Sequence, residues 1–308
     1  MKKSLLTLCS VATIFAAQNA IAEDVVLKDT TAVELNSGAV DYTIYSTFSS
    51  GNPQIGVAGT TYNVGSITLT PAGVQVPGEA EGVLSTNPND VLIFGNYNFD
   101  INQSEGEKVI IDNQSKKRFN CQAGTTLTIT NSATNSSAVA VIDLGTGDGT
   151  ARSLMMQKNV NIIFKTNSRI ESEKIKTRTW YPVYIYGNDA KLAVENASTL
   201  TINTNTRLGD GETNAVLSVT GGSTLLFGES AYFDAYSGTI TVDETSKLQV
   251  KQLSRFGEQE ADTTTRQKPL IATIKGTFDM DSSVTIYNTA NFVVNNFQHA
   301  NGSLLTVY

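Results

Sequence analysis

The feature that most constrains the fold of this chain is an internal repeat of paired short strands between Lys191 and Val250. Apolar residues recur there as two positions separated by one, the two-residue period of a strand with one buried face. Leu192 and Val194 are followed eight positions later by Leu200 and Ile202. The couple returns 25 residues on as Leu217/Val219 with Leu225/Phe227, and 23 further on as Ile240/Val242 with Leu248/Val250. Small polar residues separate the two halves: Asn196-Ala197-Ser198-Thr199, Gly221-Gly222-Ser223-Thr224 and Glu244-Thr245-Ser246-Lys247. Their side chains suit tight turns, through the backbone freedom of Gly and the local hydrogen bonds of Asn, Ser and Thr.

The same spacing extends back to Phe119/Cys121 with Leu127/Ile129 and to Val91/Ile93 with Phe99/Ile101, and forward to Phe278/Met280 with Val284/Ile286. A single such unit cannot bury its apolar row, whereas units stacked on one another align Val on Val and Leu on Leu into a continuous core. An antiparallel sandwich also has short strands at regular spacing, but it does not copy a fixed offset. The chain is therefore expected to be all-β, a right-handed parallel β-helix over residues 91–308, with about ten coils stacked at ~4.8 Å. Residues 23–90 fit the spacing poorly, and their Gly/Pro-punctuated run Pro71 to Pro88 reads as loops. They are expected to form an irregular N-terminal cap and first coils, shielding the end of the core.

The first 22 residues have another purpose. Met1-Lys2-Lys3, an apolar run from Leu5 to Ala17, and Ala20-Ile21-Ala22 have the three-part order of a secretory signal peptide cleaved after Ala22. The run is too short for the ~20 residues of a membrane span, and no later segment has the length or apolarity of one. Cys9 lies too early and in the wrong context for a lipoprotein cleavage box. Removing Lys2 and Lys3 takes the net charge from -7 to -9 and leaves Cys121 as the one thiol, so no internal disulfide is expected. An acidic chain of this kind lacks the basic surface that nucleic-acid binding requires. With one His, it also lacks the material for zinc sites and His-based triads, and no metal or other cofactor is expected.

Three phrases, Gly124-Thr125-Thr126-Leu127-Thr128-Ile129, Ala197-Ser198-Thr199-Leu200-Thr201-Ile202 and Gly222-Ser223-Thr224-Leu225-Leu226-Phe227, resemble the coils of bacterial autotransporter passengers and the related polymorphic outer-membrane proteins. The resemblance is one of style and covers roughly Val91 to Tyr308. It implies an exported β-helix of a Gram-negative bacterium, at the cell surface or secreted, with an adhesive or shielding role; the periplasm is the alternative location. One departure is that no C-terminal membrane barrel follows, since strands of ~10 residues with lipid-facing alternation are missing. Leu305 and Val307 look like the first strand of a couple without its second, so either the reading frame continues or the open edge meets a partner chain.

Candidate chemistry is sparse. Parallel β-helices also host polysaccharide lyases and hydrolases, which need two carboxylates at a set separation. Asp243, Glu244, Asp279 and Asp281 fall instead at strand ends and turns, so no catalytic residue is assigned and a carbohydrate-active enzyme is the alternative function. Two Gly/Asp loops, Gly145 to Thr150 and Leu208 to Glu212, do not recur in tandem as calcium repeats would, and read as turns. Cys121, in the row assigned to Val194, Val219 and Val242, is expected to be a small buried hydrophobe.

The candidate binding site is Trp180-Tyr181-Pro182-Val183-Tyr184-Ile185-Tyr186. With Tyr181, Val183 and Ile185 turned to the core, Trp180, Tyr184 and Tyr186 form an outward aromatic strip suited to a glycan or a surface protein. The strip follows a basic run, Arg152, Lys158, Lys165, Arg169, Lys174, Lys176 and Arg178, of which Lys174, Lys176 and Arg178 lie next to it. A second candidate surface is the polar insertion Gln252 to Lys268.

Overall fold

The computed structural model describes residues 22–27, 32–35, 38, 40–46, 54–70, 91–114, 119–145, 154–173, 180–210, 213–257 and 268–308. They form 28 strands and no helix, in two parallel sheets of 17 and 11 strands. The chain is a parallel β-helix in which each full coil has three short strands, so three faces enclose one continuous core. The 11-stranded sheet contributes one strand per coil and is the third face. The 17-stranded sheet covers the other two, because the long strands Thr61–Leu69 and Leu270–Met280 run round a corner and pair on both. At ~4.8 Å per coil, eleven coils make a rod of about 50 Å.

The repeat read from the sequence is the alternation of the first and second faces. On the first, Ile162, Leu192, Leu217, Ile240, Ala272 and Phe292 lie in register in successive coils. On the second, Leu200, Leu225, Leu248, Phe278 and Phe297 do the same. All of these but Phe292 and Phe297, both in the last coil, are fully buried, which is what stacking like on like achieves. Aromatic rings bridge the faces inside the rod, with Phe227 stacked on Phe233 at 4.0 Å and Phe256 edge-on to Phe233, Phe278 and Phe292.

The corners between these faces are tight. Asn196, Ala197, Gly221 and Gly222 all have positive φ. The buried serines behind them form a ladder: Ser198 N–H donates to Ser223 Oγ at 3.2 Å, and Ser223 N–H to Ser246 Oγ at 3.1 Å. At Gly276, where Leu270–Met280 rounds the same corner without a turn, a Cβ would run into the Ser246 and Asp243 carbonyl oxygens.

Three sequence assignments are corrected. Phe119–Cys121 is a third-face strand, in register with Leu154–Met156, Val183–Ile185 and Thr206–Leu208, so Cys121 shares a row with Met156, Ile185 and Leu208 rather than Val194. Phe278/Met280 belongs to the second face and Val284/Ile286 to the third, the first-face pair of that coil being Ala272/Ile274. Likewise the first-face pair after Val91–Ile93 is Tyr97/Phe99. The physical reason is that two corners have the same span: Phe119 to Leu127 and Leu192 to Leu200 are both eight residues.

The strands within residues 23–90 that are described, among them Val40–Ser46 and Thr61–Leu69, pair in parallel with the later coils and bury Tyr42, Ile44, Tyr62 and Val64 in the same core. The signal segment through Ile21, the run Pro71 to Pro88 and residues 258–267 of the polar insertion lie outside the described residues. The insertion is also shorter than read, since Ser254–Phe256 within it is a regular third-face strand. No helix among the described residues is long and apolar enough to cross a membrane.

Candidate functional site

The third face carries the aromatic segment. Its strand, Val183–Ile185, buries Val183 and Ile185 in the core and turns Tyr184 outward, into a row with Met155 of the preceding coil and Arg207, Asp234 and Arg255 of the following ones. Alternation ends at the strand, however, and Tyr181 does not follow Val183 inward. Its hydroxyl donates to Asp234 Oδ2 at 2.5 Å and lies 3.5 Å from the Tyr236 hydroxyl. Burial, with the Asp234 carboxylate beside it, pushes the Tyr181 phenol well above its ordinary range. Tyr181 is thus an outer-face residue, a correction to the expected orientation.

The centre of this cluster is Arg207. Its guanidinium lies 4.4 Å from the Tyr236 ring centroid, 5.2 Å from Tyr184 and 6.0 Å from Tyr181, and its Nε donates to the Gly209 carbonyl. A cation held against several aromatic faces gains from their quadrupoles, more so when partly removed from water. Tyr186 stacks on Tyr184 at 5.0 Å, and Tyr184 is left only 4% exposed. Of the expected strip, Tyr184 is therefore the floor, whereas Trp180 and Tyr186 are half-exposed and flank the strand at its two ends. The Trp180 carbonyl is fixed by Asn205 Nδ2 at 2.9 Å.

The basic run does not form one patch. Lys158 and Lys165 sit at different corners of a coil, and Arg169 is on the second face, bound by both Glu107 oxygens at 2.6 and 2.7 Å and by Glu171. Lys174, Lys176 and Arg178 lie outside the described residues, as does Arg152.

A second concavity was not foreseen. A cleft of about 700 Å3 opens on the outer side of the second face, lined by Asp143, Glu171, Glu173, Asn203, Glu229 and Lys251 among others. Asp143, Glu171, Asn203 and Lys251 each follow directly on the last inward residue of a second-face strand, Ile142, Ile170, Ile202 and Val250. That fixed offset was available as a signal, but only once the true coil boundaries were known.

Three of the four carboxylates considered from the sequence, Asp243, Asp279 and Asp281, have structural partners. Asp243 accepts from Gly221 N–H at 2.6 Å and from the Thr245 amide and hydroxyl. Desolvation raises its carboxyl, and the bonds from Ser246, Gly221 and Thr245 together outweigh that and hold it below the usual carboxylate range. Asp279 pairs with Lys247 and Asp281 accepts from Gln249. Of the two Gly/Asp loops, Asp210 caps its own turn through Thr213, while 146–150 lies outside the described residues. Among the described residues no group of three or more His, Cys, Asp or Glu side chains is placed to hold a metal ion. Cys121 is fully buried, and burial pushes its thiol up to about 12.

Comparison of the chain with protein-family models, with curated protein sequences and with solved structures gave no match, so a functional reading rests on these sites alone.

Proposed function

We propose that the chain is an exported, non-enzymatic β-helix that works as an adhesin-like binding module at the cell surface or after secretion. The signal-peptide pattern of residues 1–22 supports export, and the coil phrases support the likeness to autotransporter passengers. The observation that carries the binding role is the half-exposed pair Trp180 and Tyr186, set beside the Tyr184–Arg207 platform. A ring held by a neighbouring stack, as Tyr186 is by Tyr184, presents an apolar face to a sugar ring at little entropic cost. Lys174, Lys176 and Arg178 immediately precede them in the chain and favour an acidic glycan.

A glycan array with the mature chain tests this. Retention of an acidic glycan should fall about tenfold in Trp180→Ala and Tyr186→Ala with the circular dichroism unchanged. Retention that survives both substitutions rejects the site. Protease treatment of intact cells separates a surface location from a periplasmic scaffold.

The second reading, a carbohydrate-active enzyme, is favoured by the carboxylates Asp143, Glu171, Glu173 and Glu229, which line one cleft. Cleavage of an acidic polysaccharide, lost on Glu173→Gln, would establish it in place of the first.

A further inference from the structure

The corner that follows the third face carries a single row of residues along the rod. Tyr186, Gly209, Tyr236, Gly257 and Tyr287 each come directly after the last inward residue of a third-face strand. Each donates its N–H to the equivalent inward residue's carbonyl one coil earlier, at Met156, Ile185, Leu208, Ala235 and Phe256 in turn. The five positions are therefore in register, and the row alternates tyrosine with glycine.

Gly209 and Gly257 both have positive φ, and a Cβ would run into Ser237 at the first and into Thr289 and Ala290 at the second. Close approach of the next coil thus dictates glycine at these two positions. It leaves the tyrosines two coils apart, ~9.6 Å at the strand spacing. All three are half-exposed. Each is also held in place: Tyr186 by Tyr184 at 5.0 Å, Tyr236 by the Arg207 guanidinium at 4.4 Å, and Tyr287 by Tyr308 at 5.4 Å.

The outward row beside it has the same two-coil period. Arg207-Leu208-Gly209 and Arg255-Phe256-Gly257 place an arginine two residues before each glycine, with Arg207, Asp234 and Arg255 in register. The two arginines are occupied differently. Arg207 rests against Tyr181, Tyr184 and Tyr236 and donates to the Gly209 carbonyl. Arg255 is half-exposed and, among the described residues, makes no hydrogen bond, ion pair or ring contact. Asp234, between them, is fully buried and accepts from the Tyr181 hydroxyl instead. A guanidinium with its fork of donors open takes a carboxylate through two parallel hydrogen bonds.

A spacing of ~9.6 Å between ring platforms is close to the length of one disaccharide unit in an extended chain. A glycan with that period meets Tyr186, Tyr236 and Tyr287 at equivalent points, over ~19 Å of the rod. If it carries one carboxylate per disaccharide, one of them comes to Arg255, whose coil lies between those of Tyr236 and Tyr287. The net charge of -7 opposes this only weakly, because charges farther away than a Debye length, ~8 Å at physiological ionic strength, are largely screened.

We infer that the ligand is a linear acidic polysaccharide with one carboxylate per disaccharide, lying along the rod axis on Tyr186, Tyr236 and Tyr287 and paired with Arg255. This rests on the glycan-binding reading above, shares Tyr186 with it, and extends it from a local contact to a track.

Calorimetric titration of the full chain with oligosaccharides of hyaluronan and of unsulfated chondroitin, from disaccharide to octasaccharide, tests the track. The octasaccharide should bind at least about tenfold tighter than the disaccharide, because further tyrosines engage it. Tyr287→Ala should flatten that length dependence, whereas Tyr287→Phe, which keeps the ring, should retain it; Tyr287→Leu serves if the alanine variant does not fold. Arg255→Gln should weaken the octasaccharide about tenfold and abolish its preference over the carboxyl-reduced form. Circular dichroism checks the fold of each variant. Failure of both octasaccharides to bind, affinity independent of length, or a length dependence that survives Tyr287→Ala would overturn the track. In each of these cases a glycan whose retention depends on Trp180 leaves the local site standing, and loss of every glycan sinks both. Unchanged binding in Arg255→Gln would overturn the pairing with a carboxylate.

Discussion

The three-face register makes a sharp comparison possible between two phenylalanines of the same row. Phe278 and Phe297 are adjacent in it, but Phe278 is fully buried and Phe297 is 42% exposed. The Phe278 ring meets Phe256 at 5.7 Å, Phe292 at 5.4 Å and Phe297 at 6.0 Å, so its loss opens a cavity between three coils. Truncating a buried Phe to Ala costs about 3–5 kcal/mol, which puts Phe278→Ala near 4 kcal/mol. Phe297→Ala removes a side chain that is 42% exposed, and by its smaller burial should cost about half as much, ~2 kcal/mol. Urea denaturation followed by circular dichroism, at concentrations low enough for a monomer, reads both as midpoint shifts at similar slope. If Phe278→Ala does not fold, Phe278→Leu keeps the comparison. Equal costs for the two positions would refute the difference in burial between Phe278 and Phe297.

Two further outcomes follow from the interior. Ser223→Ala removes the Oγ that accepts the buried Ser198 N–H and should lower stability by roughly 1–3 kcal/mol; a change below about 0.5 kcal/mol would mean the serine ladder is incidental. Cys121 should resist alkylation until the chain unfolds. Its thiol rises from an ordinary 9.0 to about 12 on folding, so the folded state favours the protonated form. The associated stability is complete below pH 9 and is lost as pH climbs toward 12, by roughly 1.4 kcal/mol per unit. Urea midpoints of the wild type should accordingly fall faster with pH over this window than those of Cys121→Ala, and parallel pH profiles would contradict it.

How much of this was legible depends on which residues a face puts inward. The first and second faces show themselves because Leu192, Val194, Leu200 and Ile202 are all large and apolar, as are their counterparts one and two coils on. The third face hides, because its strands are only two or three residues long and small or polar residues occupy inward positions: Thr206, Ser254 and Ala235 are all fully buried. Thr206 and Ser254 lie above and below Phe233 in one row, so small residues make room for the large ring. Their hydroxyls turn back to the carbonyls of Thr204 and Gln252, which makes polar residues tolerable in the core. No hydrophobic pattern can report such a strand. The two-strand coil read from the sequence was therefore short by one face, and the three described members of the basic run, Lys158, Lys165 and Arg169, lie on different sides of a coil.

The same geometry explains why candidate sites are harder to read than the core. In a solenoid a surface is assembled from residues one coil apart, so paired neighbours in space are 19 to 44 positions apart in the chain. Tyr181 reaches Asp234 across 53 residues, and Arg207 is sandwiched by tyrosines drawn from both directions along the chain. The segment Trp180 to Tyr186 stood out only because several aromatics happen to be consecutive; Arg207, Asp234 and Tyr236, which hold it in place, carry no local signal. This gives the Tyr/Arg cluster a specific experimental signature. If Arg207 positions the platform, Arg207→Lys should disturb it nearly as much as Arg207→Ala, because the planar guanidinium that rests against three rings has no equivalent in an ammonium. Glycan retention measured on both variants decides the matter: a lysine that restores binding would show that charge alone, and not the stacked geometry, is what the site requires.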